Sequence, residues 1–370
     1  MVYKLKLNGE EIYNPNDDRV LLDTSIELEL NAAGSCEFTM PTFHRYYDDI
    51  ELLTQTLEIY DEHNIIIWYG RPTEVSYDFY NQKKVYFEGP LAFFNDTIQR
   101  PHEYPSLTTG THSFFRALIA NHNSQVADTN RQFEVGTLTV PDISIYRKTD
   151  YETTKECLDR MCTGAEGGYI LFRRIFDSTL NRMVNYIDWV SEPTTISTQP
   201  IVYAMNMTDF NKEVNCDDVF TCLIPLGDEV NDEKITIASV NDGNDYLVNQ
   251  EAVDLYGMIY KVEQFEGYTE ATTEVKTKLK QEAQRFMTNK WNDFLKDRMS
   301  FDISAADLGY INAEYSTLQL GKKVRVLSTP HNVDETLPIT RVRFSLENGV
   351  KDVSIGTPPR QTLSEIYYEG

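Results

Sequence analysis

Two segments near opposite ends of the chain carry the same strand pattern. Residues 57–89, LEIYDEHNIIIWYGRPTEVSYDFYNQKKVYFEG, align without gaps on residues 324–356, VRVLSTPHNVDETLPITRVRFSLENGVKDVSIG. Apolar residues then coincide at five positions: Leu57 with Val324, Ile59 with Val326, Val75 with Val342, Tyr77 with Phe344, and Phe79 with Leu346. Strands match by chance because their side chains alternate every two residues, but here Asn81 also meets Asn348 and Gly89 meets Gly356. The sequence therefore predicts one antiparallel β module that occurs twice, with other segments between the copies.

The segments around the repeat predict further strands and four helices. SIELEL and CEFTMP flank the turn NAAGS, and residues 167–190 predict a hairpin that turns near DSTLN. Helical periodicity covers residues 112–126, 150–162 and 274–297, and Thr153 or Thr154 can cap the second of these helices. A short helix in NQEAVDLYG is expected to end at Gly257.

The charge of the chain limits its partners. Acidic residues outnumber basic residues by 58 to 34, and they are spread along the sequence. A net charge of −24 repels phosphate backbones, because binding them requires clustered lysine and arginine. Stable nucleic-acid binding is therefore not expected, whereas an acidic wall past which nucleic acid slides without being held is compatible with this composition.

The cysteines and the apolar runs indicate a protein made in a reducing cytoplasm. No zinc-ribbon or redox CxxC spacing occurs among the five cysteines, which are Cys36, Cys157, Cys162, Cys216 and Cys222. We expect them to be buried free thiols. The start MVYKLKLNGEEIY lacks the apolar core of a signal peptide, and no run of about 18 apolar residues occurs, so no membrane span is expected.

No catalytic or cofactor motif stands out. The six histidines lie in different local settings, and none accompanies a nucleophile elbow or a papain-like cysteine: His44, His63, His102, His112, His122 and His331. The sequence has no H-E-x-x-H zinc motif, no P-loop and no dinucleotide turn. The glycine-rich residues 164–169 follow a helix and precede a strand, which is the reverse of the order in a phosphate cradle, so we interpret them as a loop.

The acidic residues also give no definite site. A glycosidase needs two carboxylates roughly 5–9 Å apart, but pairs such as Asp48 with Asp49 or Asp217 with Asp218 cannot be singled out among 58 acids. The stretch NDGNDYLVN at residues 241–249 has the composition of a calcium loop but lacks the glutamate at the twelfth position. We therefore expect no catalytic residue, no cofactor and no metal.

A series of short motifs runs through the first hundred residues. Gly34 lies in a small-residue turn before an FTMP strand, and a glycine–arginine pair follows the first hairpin. The complete series, with the glycine of the second module, is Gly34, Gly70, Arg71, Glu88, Gly89, Asn95, Asp96, Arg100, Pro101 and Gly356. In order and spacing it resembles the structural N-terminal region of tail-associated, prophage-tail-endopeptidase-type proteins of long-tailed bacteriophages. DYETTKECLD, GGYILFR, YIDWV and NDGNDYLVNQEAVDLYG are similar to the same family, so the resemblance covers nearly the whole chain.

The resemblance implies a baseplate hub at the tail tip of a virion, assembled in the cytoplasm of the host bacterium. In that family three chains with two β modules each form a pseudo-sixfold ring that continues the hexameric tail tube. The implied partners are a homotrimer, a hexameric distal tail or tail tube protein, tip, spike or fibre proteins, the tape measure protein and genomic DNA that passes without being held. Longer relatives carry a peptidase, lysin or fibre extension, and because this sequence stops at Gly370 we expect no enzymatic activity.

The implied fold is α+β and β-rich, with two similar antiparallel β-barrel-like tube modules and inserted small α+β domains. The predicted boundaries are 1–104 for the first module, 105–195 for a small α+β domain, 196–246 and 298–360 for the second module, 247–297 for a helical insertion and 361–370 for a C-terminal tail. The motif residues are expected to be structural. Gly70 would permit a backbone conformation that other residues resist, and Arg71 would pair with a nearby acid.

Two alternatives to a structural hub remain open from the sequence. One is a cell-wall-degrading tail endopeptidase or lysin, which would use carboxylates that the sequence does not single out. The other is a carbohydrate-binding receptor protein, because 23 Tyr, 18 Phe and 3 Trp could supply stacking surfaces for sugars. Against the second, Trp68 and Trp291 lie in patterns that point inward.

Overall fold

A computed structural model describes residues 3–356 except 62, 105–108, 145, 164–165, 214–218, 297–299, 313 and 347–349. The first strands are β1 (Lys4–Leu7), β2 (Glu10–Glu11), β3 (Leu22–Glu29), β4 (Ser35–Met40), β5 (Leu57–Tyr60), β6 (Ile66–Tyr77), β7 (Lys83–Glu88) and β8 (His102–Tyr104). The middle of the chain contains α1 (Thr111–Gln125), β9 (Phe133–Leu138), β10 (Arg147–Thr149), α2 (Thr154–Thr163), β11 (Tyr169–Asp177) and β12 (Arg182–Val190). The remaining elements are β13 (Ile201–Val202), β14 (Met207–Glu213), β15 (Cys222–Leu226), β16 (Glu229–Val230), β17 (Glu233–Lys234), β18 (Leu247–Val248), α3 (Gln250–Tyr256), β19 (Tyr260–Gln264), α4 (Thr273–Lys296), β20 (Ser300–Ala306), β21 (Lys323–Ser328), β22 (Val333–Phe344) and β23 (Val350–Ile355).

One thirteen-stranded, curled sheet contains both β modules. Its hydrogen-bonded order is β14-β20-β23-β22-β3-β4-β7-β6-β5-β1-β2, while β21 pairs with β22 and β13 pairs with β21. Every pair is antiparallel except β13 with β21. The modules meet where β3 pairs with the last four residues of β22. The predicted fold class, a β-rich α+β protein with two similar antiparallel modules, is confirmed.

The predicted repeat is present in the pairing register. β6 and β22 are twelve residues long and correspond end to end in the predicted alignment. Leu57 pairs with Gly70, and at the corresponding positions Val324 pairs with Leu337. Each long strand also has a register shift at the same place, between Pro72 and Glu74 in β6 and between Ile339 and Arg341 in β22. Each shift bends the long strand where it passes from one neighbour to the next.

The second hairpin departs from the gapless alignment by one residue. Tyr77 pairs with Lys83, whereas Phe344 pairs with Lys351 rather than with residue 350. The connection in the second module is therefore one residue longer, and Gly356 takes the pairing position of Glu88, not that of Gly89. The predicted match of Asn81 with Asn348 lies outside the described residues.

The described residues form three hydrophobic cores. The first is shared by the two β modules and includes Leu5, Phe38, Trp68, Phe87, Phe301, Val324 and Val342. The second joins α1 and α2 to β9, β11 and β12, and the third joins α4 to the small sheet β18-β15-β19. The four predicted helices are confirmed as α1 to α4, and Gly257 ends α3 with a positive φ of 75°. None of the described helices is both long and apolar enough to cross a membrane.

The N-terminus of α2 has the predicted cap. The Thr153 hydroxyl accepts a hydrogen bond from the Glu156 amide at 3.1 Å, and the Glu156 carboxylate accepts one from the Thr153 amide at 2.7 Å. The predicted domain boundaries stay predictions. Within the predicted segment 196–246, β15 pairs with β18 and β19 rather than with a strand of the large sheet.

His122 lies at the end of a buried chain of hydrogen bonds in the second core. The Gln99 side-chain amide donates to the Thr154 hydroxyl, and the hydroxyls of Thr154 and Thr97 lie 2.8 Å apart. The Thr97 hydroxyl and His122 Nδ1 also lie 2.8 Å apart, and His122 Nε2 lies 2.9 Å from the carbonyl oxygen of Arg131. A neutral ring satisfies this order, accepting at Nδ1 and donating at Nε2. Burial lowers the pKa of His122 below its usual value of 6.5.

We expect His122 to contribute to acid destabilisation. Because the folded-state pKa lies below that of the unfolded chain, the stability is fully present above pH ~6.5 and is lost as the pH falls toward the folded-state pKa. His122→Gln keeps one acceptor and one donor but does not titrate, so its free energy of unfolding should fall less between pH 7 and 5. Denaturant unfolding across that range measures the difference. His102→Gln, at an exposed histidine, is the control, and equal profiles for wild type and H122Q would contradict the assignment.

Candidate functional site

One face of the large sheet lies on the shared core and the other in solvent along β14, β20, β23, β3, β4, β7, the Arg341–Phe344 half of β22 and the Glu74–Tyr77 half of β6. The first half of β6 differs, because its Tyr69 packs in the second core. In β4 the residues Cys36, Phe38 and Met40 are buried, and those between them are partly exposed. The described charged side chains on the solvent side include seven acids and three bases: Glu27, Glu29, Glu37, Glu74, Asp209, Asp302, Asp352, Lys84, Arg341 and Arg343. We call this solvent side the wall face. Its composition is predominantly acidic.

The three bases of the wall face are engaged by its own acids. Arg343 Nε donates to Glu27 at 2.9 Å, and Lys84 Nζ lies 3.0 Å from Glu37. Arg341 lies 3.5 Å from Asp302. Because each cation already has a carboxylate partner, the described part of the wall face offers no cluster of free cations for phosphate groups.

Among the described strands, the pairing leaves one matched edge open in each module. Arg341 to Phe344 in β22 pair with β23 on one side and with β3 on the other. The corresponding half of β6, Glu74 to Tyr77, pairs with β7 alone. Likewise β3 pairs with β4 and β22, whereas its counterpart β14 pairs only with β20. Each module therefore has the same two edges. The joint between the modules pairs the β22 edge of the second module with the β3 edge of the first, and the matching edges on β6 and β14 stay open.

Side-chain exposure differs in the same way at matched positions. Phe344 and Leu346 are 5% and 6% exposed, because the first module covers them. The Phe344 ring lies 5.5 Å from that of Tyr3, and the Leu346 amide donates to the Thr24 hydroxyl at 2.8 Å. Their counterparts Tyr77 and Phe79 are 57% and 95% exposed. The β6 edge therefore exposes to solvent two side chains whose counterparts in the second module are buried.

Two buried lysines are a shared feature that the sequence analysis missed. Lys83 and Lys351 are paired positions of the two modules, and both are nearly inaccessible. Lys83 Nζ lies 5.7 Å from the Tyr77 ring centre, and Lys351 Nζ lies 5.3 Å from that of Phe344. This places Tyr77 and Phe344 on the same side of their sheets. An alignment that allowed one inserted residue would have matched the two lysines.

Three of the predicted motif residues, Arg71, Glu88 and Asp96, meet beside β6 and β7. Arg71 is buried, donates to Glu88 at 2.6 Å and forms a two-pronged contact with Asp96, with one arm at 2.8 Å. Its guanidinium also lies 5.2 Å from the Phe93 ring. Asp96 ends the 3-10 helix Pro90–Asp96, whose phenylalanines belong to the second core. Arg71 therefore pairs with acids as predicted, and it joins the first β module to the α+β part of the chain.

Gly70 and Gly89 are required by space rather than by backbone conformation. Neither has a positive φ, so the predicted reason for Gly70 was wrong. A Cβ at Gly70 would overlap the Glu88 carbonyl oxygen, and one at Gly89 would overlap that of Ala33. Gly34, at φ 71°, is in the left-handed region and accepts a hydrogen bond from the Gly89 amide at 3.0 Å. These close approaches hold the turn before β4 against the end of β7.

The other motif residues lie apart from this contact. Asn95, Arg100 and Pro101 are exposed, and the Arg100 carbonyl accepts a hydrogen bond from Thr149 at 2.6 Å. Gly356 ends the second module with φ 93°, and its amide donates to the Pro338 carbonyl at 2.9 Å. A structural role for the complete motif series remains a prediction.

The described residues place no catalytic set around a cavity. The Ser328 hydroxyl lies 2.6 Å from His331 Nδ1, but Ser328 is fully buried and the His331 ring stacks on Phe210 at 4.3 Å. Asp48 and Asp49 are exposed, while Asp217 and Asp218 lie outside the described residues. Within the described part of the chain no group of three or more metal-ligating side chains occurs. Cys36, Cys157, Cys162 and Cys222 are free thiols, and all but Cys162 are fully buried.

Comparisons with known proteins agree with this architecture. Residues 195–357 match the family described as prophage endopeptidase tail. The 43 kDa tail protein of prophage MuSo2 from Shewanella oneidensis is 12% identical, with a TM-score of 0.62 over 95% of this chain and 97% of that chain. The tail protein from Neisseria meningitidis MC58 is 12% identical, with a TM-score of 0.60 over 96% of each chain. The c3393 protein of E. coli, a component of the type VI secretion system, is 10% identical, with a TM-score of 0.53 over 97% of this chain and 80% of that chain.

At these identities the solved structures establish the fold. No curated protein sequence matches the chain. The predicted resemblance to phage tail proteins is confirmed, both by the family match over the second module and by the fold of the whole chain.

Proposed function

We propose that this chain is a structural hub at the distal tail tip of a long-tailed bacteriophage, where a homotrimeric ring continues or closes the tail tube. The observation that carries the proposal is the difference in side-chain exposure between matched positions of the two modules. The second module buries Phe344 and Leu346 against the first module, while Tyr77 and Phe79 at the same positions are exposed. An exposed, apolar strand edge is a template for pairing with another chain.

In the proposed ring, β14 of one chain adds to the Glu74–Tyr77 edge of β6 in the next chain. This contact repeats between chains the pairing that β3 makes with β22 within one chain. Head-to-tail contacts of this kind close into a ring when the rotation between units allows it. Two modules per chain give six around the axis with three chains, which suits the hexameric tail tube that the family resemblance implies.

The wall face is proposed to line the lumen. Its acids outnumber its bases, and its bases are paired with carboxylates of the same face. Because phosphate contacts with lysine or arginine would hold passing DNA, an acidic lining keeps the genome moving. The distal tail or tube protein, the tape measure protein and the tip, spike or fibre proteins are the proposed neighbours.

We further propose that the chain acts without catalysis. In the close Ser328–His331 contact the serine side chain is fully buried, so a substrate cannot reach its hydroxyl. An endopeptidase or lysin activity is testable on purified peptidoglycan. Release of muropeptides that disappears on substitution of one histidine or one acid pair would contradict the structural role.

The purified chain is expected to form a particle of three times the 42.8 kDa mass of one chain. Light scattering measures the mass over a concentration and salt series. High salt should not dissociate the ring, because salt screens charges and the proposed joint is made of strand pairing and apolar contacts. A monomer that persists with purified tail tube protein present would contradict the ring, as would another copy number. An imaged ring whose lumen is lined mainly by lysine and arginine would contradict the lumen assignment.

A further inference from the structure

The third core occupies a position where the first module has only a turn. Residues 30–34 connect β3 to β4, whereas residues 214–299 connect their counterparts β14 and β20. The inserted segment contains its own small sheet and the helix α4. Since the first module closes its sheet without such an insertion, the wall itself does not require it.

The small sheet has one covered face and one open face. Leu223 and Leu247 pair across β15 and β18 and are buried in the core with α4. On the other side, Val248 and Tyr260 flank Cys222, and Val262 lies beside Ile224. Val248, Tyr260 and Val262 are 42%, 52% and 57% exposed. We call Val248, Ile224, Tyr260 and Val262 the open face.

The open face continues to an unpaired strand edge. Among the described strands β19 pairs with β15 alone, so its outer edge has no neighbour. Leu255 and Met258, in the residues that lead into β19, are 68% and 46% exposed and add apolar surface. Exposed apolar surface of this extent on an edge strand is typical of a contact site.

The charge around the open face determines which kind of partner fits. Residues 219–272 contain eleven acids and two lysines. One of the lysines, Lys261, lies over the Phe220 and Phe286 rings on the covered face, at 5.5 and 5.4 Å. Asp245 lies close to Tyr260 of the open face, and Glu251 and Asp254 lie in α3, which connects β18 to β19. A second copy would bring the same acids against these, so like charges disfavour pairing of two open faces.

We propose that the open face docks a different protein, through an apolar surface rimmed by lysine and arginine. The inference goes beyond the ring and rests on the proposed function only in expecting the partner among other tail proteins. Apolar contact supplies the affinity, and the acidic rim selects a cationic partner over another copy of this chain.

Site-specific photocrosslinking in assembled tails tests the proposal. A photoreactive p-benzoylphenylalanine replaces Tyr260 in one variant, Tyr77 in a second and the exposed Ile311 in a third. Tyr260 is expected to crosslink to a different polypeptide, at a segment that contains lysine or arginine. Crosslinking of Tyr260 to a second copy, or no adduct where Tyr77 gives one, would overturn the proposal. Tyr77 is expected to crosslink to a second copy, so the Tyr77 variant tests the proposed ring independently of the open face. The Ile311 variant measures background crosslinking.

Charge reversal provides the second arm of the experiment. Glu251→Lys with Asp254→Lys is expected to reduce the Tyr260 adduct about tenfold and to leave the Tyr77 adduct unchanged. The matched control reverses two exposed acids outside the insertion, Glu134→Lys with Glu314→Lys. An equal loss with both pairs would assign the effect to total charge and overturn the selective role of the acidic rim.

Discussion

Phe79→Asp is expected to give a folded monomer that no longer forms the ring. Phe79 is 95% exposed in the single chain, so the change should alter the free energy of unfolding by less than about 0.5 kcal/mol. In the ring it would lie where Leu346 lies between the modules, and a charge there should weaken association at least ~30-fold. Light scattering measures the assembly and thermal unfolding measures the fold.

Leu346→Ala is the matched control because the repeat places Leu346 at the same position in a joint that is already formed. Leu346 is 6% exposed, so its truncation should lower the free energy of unfolding by about 2–4 kcal/mol. Opposite phenotypes at two equivalent positions would distinguish a contact between chains from a contact within one chain. A trimer formed by F79D with wild-type affinity would show that chains do not repeat the joint between modules.

The sequence predicted the repeat because local information carries it. The apolar positions of β5 and β6 recur in β21 and β22 with the same spacing, and strand pairing through a short turn follows from them. The extra residue before Lys351 was not predictable in this way, because a loop absorbs one residue without changing the apolar pattern of either strand. The helices were also predictable, since the apolar periodicity and the Thr153 cap act within a few residues.

The contacts that position the candidate site depend on long-range pairing. Nothing near residues 26–29 indicates that β3 will pair with residues 341–344. Arg71 was predicted to pair with an acid, but the sequence did not identify Asp96 as the partner. That contact forms only because the 3-10 helix folds back against β6. The difference between Tyr77 and Phe344 is invisible in the sequence, because both are aromatic residues at the same strand position and only the neighbouring module separates them.

Arg71→Met is expected to lower the free energy of unfolding by about 2–3 kcal/mol. The variant keeps much of the side-chain volume but leaves Glu88 and Asp96 without their shared cation. The Arg71 side chain is 7% exposed, and removing one partner of a buried pair is strongly destabilising. The expected loss is below that of a fully buried pair because Glu88 and Asp96 keep 25% and 38% of their side-chain exposure and are partly hydrated.

Arg325→Met tests whether burial is the reason for the Arg71 effect. Arg325 also contacts a carboxylate with two arms, at 2.7 and 2.8 Å from Asp334, but both side chains are more than half exposed. Water and salt screen that pair, so its removal should leave the free energy of unfolding unchanged within error. Hydrogen exchange should localise the Arg71→Met effect to the 3-10 helix Pro90–Asp96 and the adjacent end of β7, because Arg71 joins these elements. Equal small losses for both variants would mean that packing of Phe93 and Phe94, rather than the ion pair, holds the α+β part against the first module.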